Sequence, residues 1–123
     1  MTSRLALRIA AFMGFLGVAL GAFGAHGLHA LLEQNQSTAI WEKAVFYHLV
    51  HAVLLFILAG RTPFSRVPWY AFLLGILLFS GSLYVFALTR LHWLAYLTPL
   101  GGLSFLAAWL WLIFVPGFSK AQV

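Results

Sequence analysis

The chain has 123 residues, of which 63% are hydrophobic and 7% charged, and its mean hydropathy is +0.99. Soluble domains are about one-quarter charged; seven Lys or Arg with two Asp or Glu cannot clothe a core of this size, which excludes a soluble enzyme, a disordered chain and a nucleic-acid binder. The formal charge of +5 lies outside the apolar runs, where it suits orientation in a membrane and contact with anionic headgroups, and the lack of cysteine removes disulfides, thiolate metal sites and thiol catalysis.

Four apolar stretches, residues 5–25, 39–60, 68–88 and 94–115, each approach the ~20 residues that a helix needs to cross the hydrocarbon. They predict a single transmembrane domain, an all-α four-helix bundle with short loops. In the first stretch, Arg4 and Arg8 precede a run ending in Ala22-Phe23-Gly24-Ala25, a pattern shared with secretory signal peptides. The run exceeds the ~7 to 15 residues of a signal core, so a membrane span is expected. Gly14, Gly17, Gly21 and Gly24 form a stripe along this helix. The stripe predicts another backbone against it, from span two or four of the same chain or from span one of a second copy.

The connection from His26 to Thr38 carries Leu28, Leu31 and Leu32 beside His29, Glu33 and Gln34, which predicts a short interfacial helical turn. Ser37 or Thr38 is expected to cap span two, with Glu42 in its first turn. Within span two, His48 and His51 share a stripe with Trp41, Ala44 and Leu55, so both imidazoles are expected to point the same way, inward. Pro63 and Pro68 bracket the link to span three. That span brings Gly75, Ser80, Gly81, Ser82 and Tyr84, and in Thr98-Pro99 the threonine is expected to cap span four with the proline at its first position; the alternative is a longer, kinked helix. Gly101, Gly102, Ser104 and Ala108 permit close helix approach there. Trp41, Trp69, Tyr70, Trp93 and Tyr96 fall at span ends and read as interfacial anchors, and Phe12, Phe15 and Phe56 as lipid-facing or core-filling. Arg4, Arg8, Arg61, Arg66 and Lys120 on one side, against Lys43 and Arg90 on the other, predict that both termini are cytoplasmic.

The residues most able to carry chemistry are His26, His48, His51, Ser82, Tyr84 and Thr98, which this reading brings toward one leaflet. Ionisable groups inside a bilayer face a partner or a cavity. Four readings stay open: neutral histidines bridging helices, a pocket for a lipid headgroup or quinone, metal or haem ligation by His26, His48 and His51, and proton or ion conduction. Conduction usually wants an intramembrane acid, and both acids here, Glu33 and Glu42, belong to or adjoin the external connection. Neither lies within evident reach of a serine and histidine pair, so no catalytic triad is assembled.

The segments Gly21-Ala22-Phe23-Gly24-Ala25-His26-Gly27-Leu28, Trp41 to Ala52, Phe79-Ser80-Gly81-Ser82-Leu83-Tyr84 and Thr98-Pro99-Leu100-Gly101-Gly102 resemble, in order, the domain-of-unknown-function family 423. That family comprises small bacterial inner-membrane proteins and the related animal transmembrane protein 256. The resemblance implies a four-span membrane protein and marks the same histidines, Ser82, Tyr84, Thr98, Gly101 and Gly102 as signature positions; it brings no activity and no cofactor. The expected role is a non-enzymatic membrane protein that binds a lipidic molecule or a larger membrane complex, or a second copy of itself, through small-residue faces and a His/Tyr cluster in the outer leaflet. The alternative is a histidine-ligated metal, haem or quinone redox site.

Overall fold

The computed structural model describes residues 1–114, which leaves Lys120 and the last residue of the expected fourth span outside the described residues. Hydrophobic runs of this length have no way to satisfy their backbone in lipid except as helices, and every span is helical. Helix α1 covers Ser3–Ala25, α2 His29–Gln34, α3 Thr38–Ala59, α4 Arg66–Gly75, α5 Gly81–Thr89 and α6 Leu97–Phe114. A π-helical segment, Ile76–Ser80, joins α4 to α5 without a break, so span three runs over Arg66–Thr89; a 3₁₀ turn, His92–Tyr96, feeds α6. All four long helical stretches are apolar and long enough to cross a membrane.

Local chemistry explains most of the boundaries. Thr2 caps α1, its Oγ1 accepting from the Leu5 amide at 3.2 Å. The expected interfacial turn is α2, held by its buried Leu32 and by Asn35, whose side-chain amide donates to the Ala87 and Leu88 carbonyls at 3.1 Å each and so satisfies the open end of α5. Four expectations at helix starts are corrected. Ser37 precedes α3 but donates to the Asn35 carbonyl and caps nothing, and Glu42 lies beyond the first turn. Pro68 does not bracket the link but sits in the first turn of α4, where its missing N–H is no loss. Thr98 is the second residue of α6, not its cap, and its hydroxyl is used in a contact between helices.

Close backbone approach runs in a row, from α1 to α3, from α3 to span three, and from span three to α6. The two helices that flank span three are different. Among the described residues α3 and α6 meet through side chains only, so the bundle is open along that seam.

Small residues set these approaches. Gly17, Gly21 and Gly24 face α3, as an intrachain partner for the stripe requires, but they receive its side chains instead of its backbone. A Cβ at Gly17 would lie 2.5 Å from Leu49, one at Gly21 3.3 Å from Val45, and one at Gly24 would overlap the Trp41 indole. Gly14 meets nothing within 4 Å. Among the described glycines, the one that meets the main chain of another helix is Gly101, where a Cβ would overlap the backbone of Leu78 and Phe79 in the π-helical segment; Gly102 beside it is nearly open, with the Phe79 ring 3.9 Å away.

Candidate functional site

Polar side chains inside the bundle are spent on joining helices. Most of them reach a main-chain carbonyl that already serves its own helix and has a second lone pair to offer. Between α1 and α3, Ser3 donates to the Ala59 carbonyl and the Trp41 indole to that of Leu20 at 2.8 Å. Between α3 and span three, Trp69 donates to Leu55 at 3.1 Å and Ser80 to Ala44 at 2.8 Å. Between α4 and α6, Ser104 donates to Ala71 at 2.6 Å. Ser82 donates to the Phe79 carbonyl at 3.0 Å, so its oxygen accepts from the Thr98 hydroxyl at 2.6 Å, tying α5 to α6. Trp41 and Trp69 are therefore not interfacial anchors: they are 3% and 0% exposed, drawn inward by indole N–H groups that need an acceptor. Tyr70, Trp93 and Tyr96 are exposed, as are Phe12, Phe15 and Phe56.

The two span-two histidines part company. The Nε2 of His48 lies 2.8 Å from the Met13 carbonyl, which only accepts, so Nε2 carries the proton; Nδ1 then accepts from the Tyr84 hydroxyl at 2.9 Å. In His51 the tautomer is reversed. Its Nδ1 donates to the Tyr47 carbonyl one turn back at 2.7 Å, and Nε2 accepts from the Trp109 indole at 3.2 Å. The ring of His51 also stacks on Phe105, with centroids 3.8 Å apart. One imidazole thus links α1, α3 and α5, while the other faces α6. Residues three apart on a helix differ by about 60° in direction, enough to send the rings to different neighbours. His26 joins neither: it is exposed at the end of α1, where its backbone N–H caps the helix. Among the described residues no three His, Asp or Glu side chains stand close enough to hold a metal ion. His26, His48 and His51 thus do not fit the expected ligand set, and all four nitrogens of the buried pair have partners.

What sequence reasoning missed is the open seam. Tyr47 and His51 of α3, Phe79 of the π-helical segment and Gly102, Phe105 and Trp109 of α6 border an apolar groove of about 580 Å³. Tyr47 packs on Phe79 with centroids 4.6 Å apart, and Phe79 on Phe105 at 5.6 Å, so the floor and walls are rigid aromatic rings. Gly102 leaves the groove unfilled where any other residue would enter it.

Comparison with known proteins finds similar membrane proteins of unknown function. The family described as "Protein of unknown function (DUF423)" matches residues 20–102. The UPF0382 membrane protein SH2409 of Staphylococcus haemolyticus is 41% identical over 110 residues, covering 85% of this chain and 88% of its own. YwdK of Bacillus subtilis, also named a UPF0382 membrane protein, is 38% identical over 112 residues, with 85% and 89% covered. The UPF0382 inner membrane protein YgdD of Escherichia coli K12 is 42% identical over 116 residues, covering 89% and 86%. No solved structure matches.

Proposed function

The chain belongs to the DUF423 family, whose relatives are named UPF0382 membrane proteins, and from that premise we propose that it is a non-catalytic membrane bundle that seats one lipidic chain in the seam between α3 and α6. The observation that carries this reading is the groove of about 580 Å³, walled by aromatic rings and bordered by an empty position at Gly102. An apolar cleft at membrane depth is filled by hydrocarbon, and a fixed aromatic wall favours a chain held in one place over bulk lipid. Ligation of a metal or haem by His48 or His51 is the weaker reading, since it requires breaking hydrogen bonds that join two helices to a third.

Filling the groove tests the proposal. A Cβ at Gly102 meets only the Phe79 ring, at 3.9 Å, so Gly102→Phe is expected to place its ring in the cleft. Its unfolding temperature in detergent is expected to match the parent, while native mass spectrometry records loss of the lipid adduct. An adduct retained in full by a folded Gly102→Phe protein sinks the proposal.

The proposed setting is the inner membrane with cytoplasmic termini. Arg4, Arg8, Arg61 and Arg66 belong to the ends of α1, α3 and α4 that share one side of the bundle, and Lys43 and Arg90 to the opposite side, a bias that supports this orientation. The chain has no native cysteine, so single Arg66→Cys and Glu33→Cys variants report cleanly. A membrane-impermeant maleimide applied to intact cells is expected to label the variant at 33 and spare the one at 66; the reverse pattern inverts the topology.

A further inference from the structure

A second cavity, of about 370 Å³, lies at the other margin of the bundle, where α1 ends, α2 crosses and α3 begins. Its recess is apolar, formed by Gly21 of α1, Leu32 of α2, and Val45 and Trp41 of α3, and its polar lining includes Glu42 and His29. Gly21 holds the recess open, because a Cβ there would come 3.3 Å from Val45. The chemistry is asymmetric. His29 pairs with Glu33 at 3.2 Å, whereas the Glu42 carboxylate has no hydrogen bond or ion pair among the described residues, and no Lys or Arg lines the cavity. In a chain of net charge +5 with two acids, Glu42 is exposed and lines this recess, so its carboxylate is open to a cation arriving from the interface.

We propose that this cavity binds an alkylammonium group, with Glu42 as counter-ion and the Gly21–Val45 recess holding the adjoining methylenes. A carboxylate beside an apolar recess matches a cationic amine on a short hydrocarbon stem, and it repels phosphate or carboxylate headgroups that lack one. Two sources offer that chemistry: the ethanolamine headgroup of a phospholipid and a small amine from the aqueous phase. The site is distinct from the α3–α6 groove and stands whether or not that groove holds a lipid.

Two probes separate the sources. Full-length protein is reconstituted in nanodiscs of mixed phosphatidylethanolamine and phosphatidylglycerol and its retained lipids are read by native mass spectrometry; in detergent it is titrated calorimetrically with n-butylammonium chloride against sodium chloride. Preferential retention of phosphatidylethanolamine assigns a lipid headgroup, and butylammonium binding without lipid preference assigns a soluble amine. In either case Glu42→Gln is expected to weaken binding by about tenfold or more, with no change in unfolding temperature because its carboxylate supports nothing else. Gly102→Phe leaves this binding intact. Binding that persists in Glu42→Gln, or failure of both probes in the parent protein, overturns the proposal.

Discussion

Gly101→Ala is expected to cost more stability than any other single-carbon change in the protein. The added Cβ overlaps the main chain of Leu78 and Phe79, and main chain cannot turn aside as a side chain can. Overpacking typically costs ~1 to 3 kcal/mol; with α6 pinned to span three by Thr98 and Ser104, the upper end of that range or beyond is expected. Thermal unfolding in detergent provides the measurement, with Gly102→Ala as the neighbouring control that leaves stability unchanged. An unaltered midpoint for Gly101→Ala would mean that α6 is free to slide off the π-helical segment.

His48→Leu is the second large effect, and its pattern across a mutant cycle matters more than its size. Removing the imidazole leaves the Met13 carbonyl its own helical donor but strands the Tyr84 hydroxyl. An orphaned buried donor costs ~1 to 3 kcal/mol, and lost packing among Met13, Tyr84 and Gly17 adds to it. Tyr84→Phe alone loses one hydrogen bond, about 1 kcal/mol. In the double variant no polar group is stranded, so it is expected to be destabilised by less than the sum of the singles. Strict additivity would show that the His48–Tyr84 bond is not made in the folded protein.

Much of the architecture was legible because the bilayer leaves so few options. Runs of about 20 apolar residues predict spans, and the helices begin and end within a few residues of the predicted limits. The resemblance carried by the GAFGAH, histidine, SGS and TP-GG segments likewise anticipated the family. Less legible was anything that depends on which neighbour a side chain meets. The shared stripe of His48 and His51 suggested one direction, yet about a sixth of a helical turn separates them from a perfect column, and Met13 and Trp109 wait on different sides. Trp41 and Trp69 sit at span ends as anchors do, but an indole within reach of a carbonyl on the next helix is buried by that bond. The π-helical segment has no composition of its own: Ile76 to Ser80 read as ordinary span. The α3–α6 seam escaped notice because a groove is a property of two helices whose backbones stay apart.

The hydrogen bonds that end on carbonyls also bear on how such a chain can change over generations. In a link such as Ser80 to Ala44, Ser104 to Ala71 or Trp69 to Leu55, only the donor is encoded by residue identity; the acceptor is present whatever side chain occupies its position. A lost donor therefore has no compensating substitution on the acceptor's helix, and the joint is repaired only in place, Ser80 by threonine for example. Paired variation between columns of related sequences would be silent about these helix contacts even though they hold the bundle together. Constraint should appear instead at isolated donor positions, with the positions opposite them free to drift in everything except bulk.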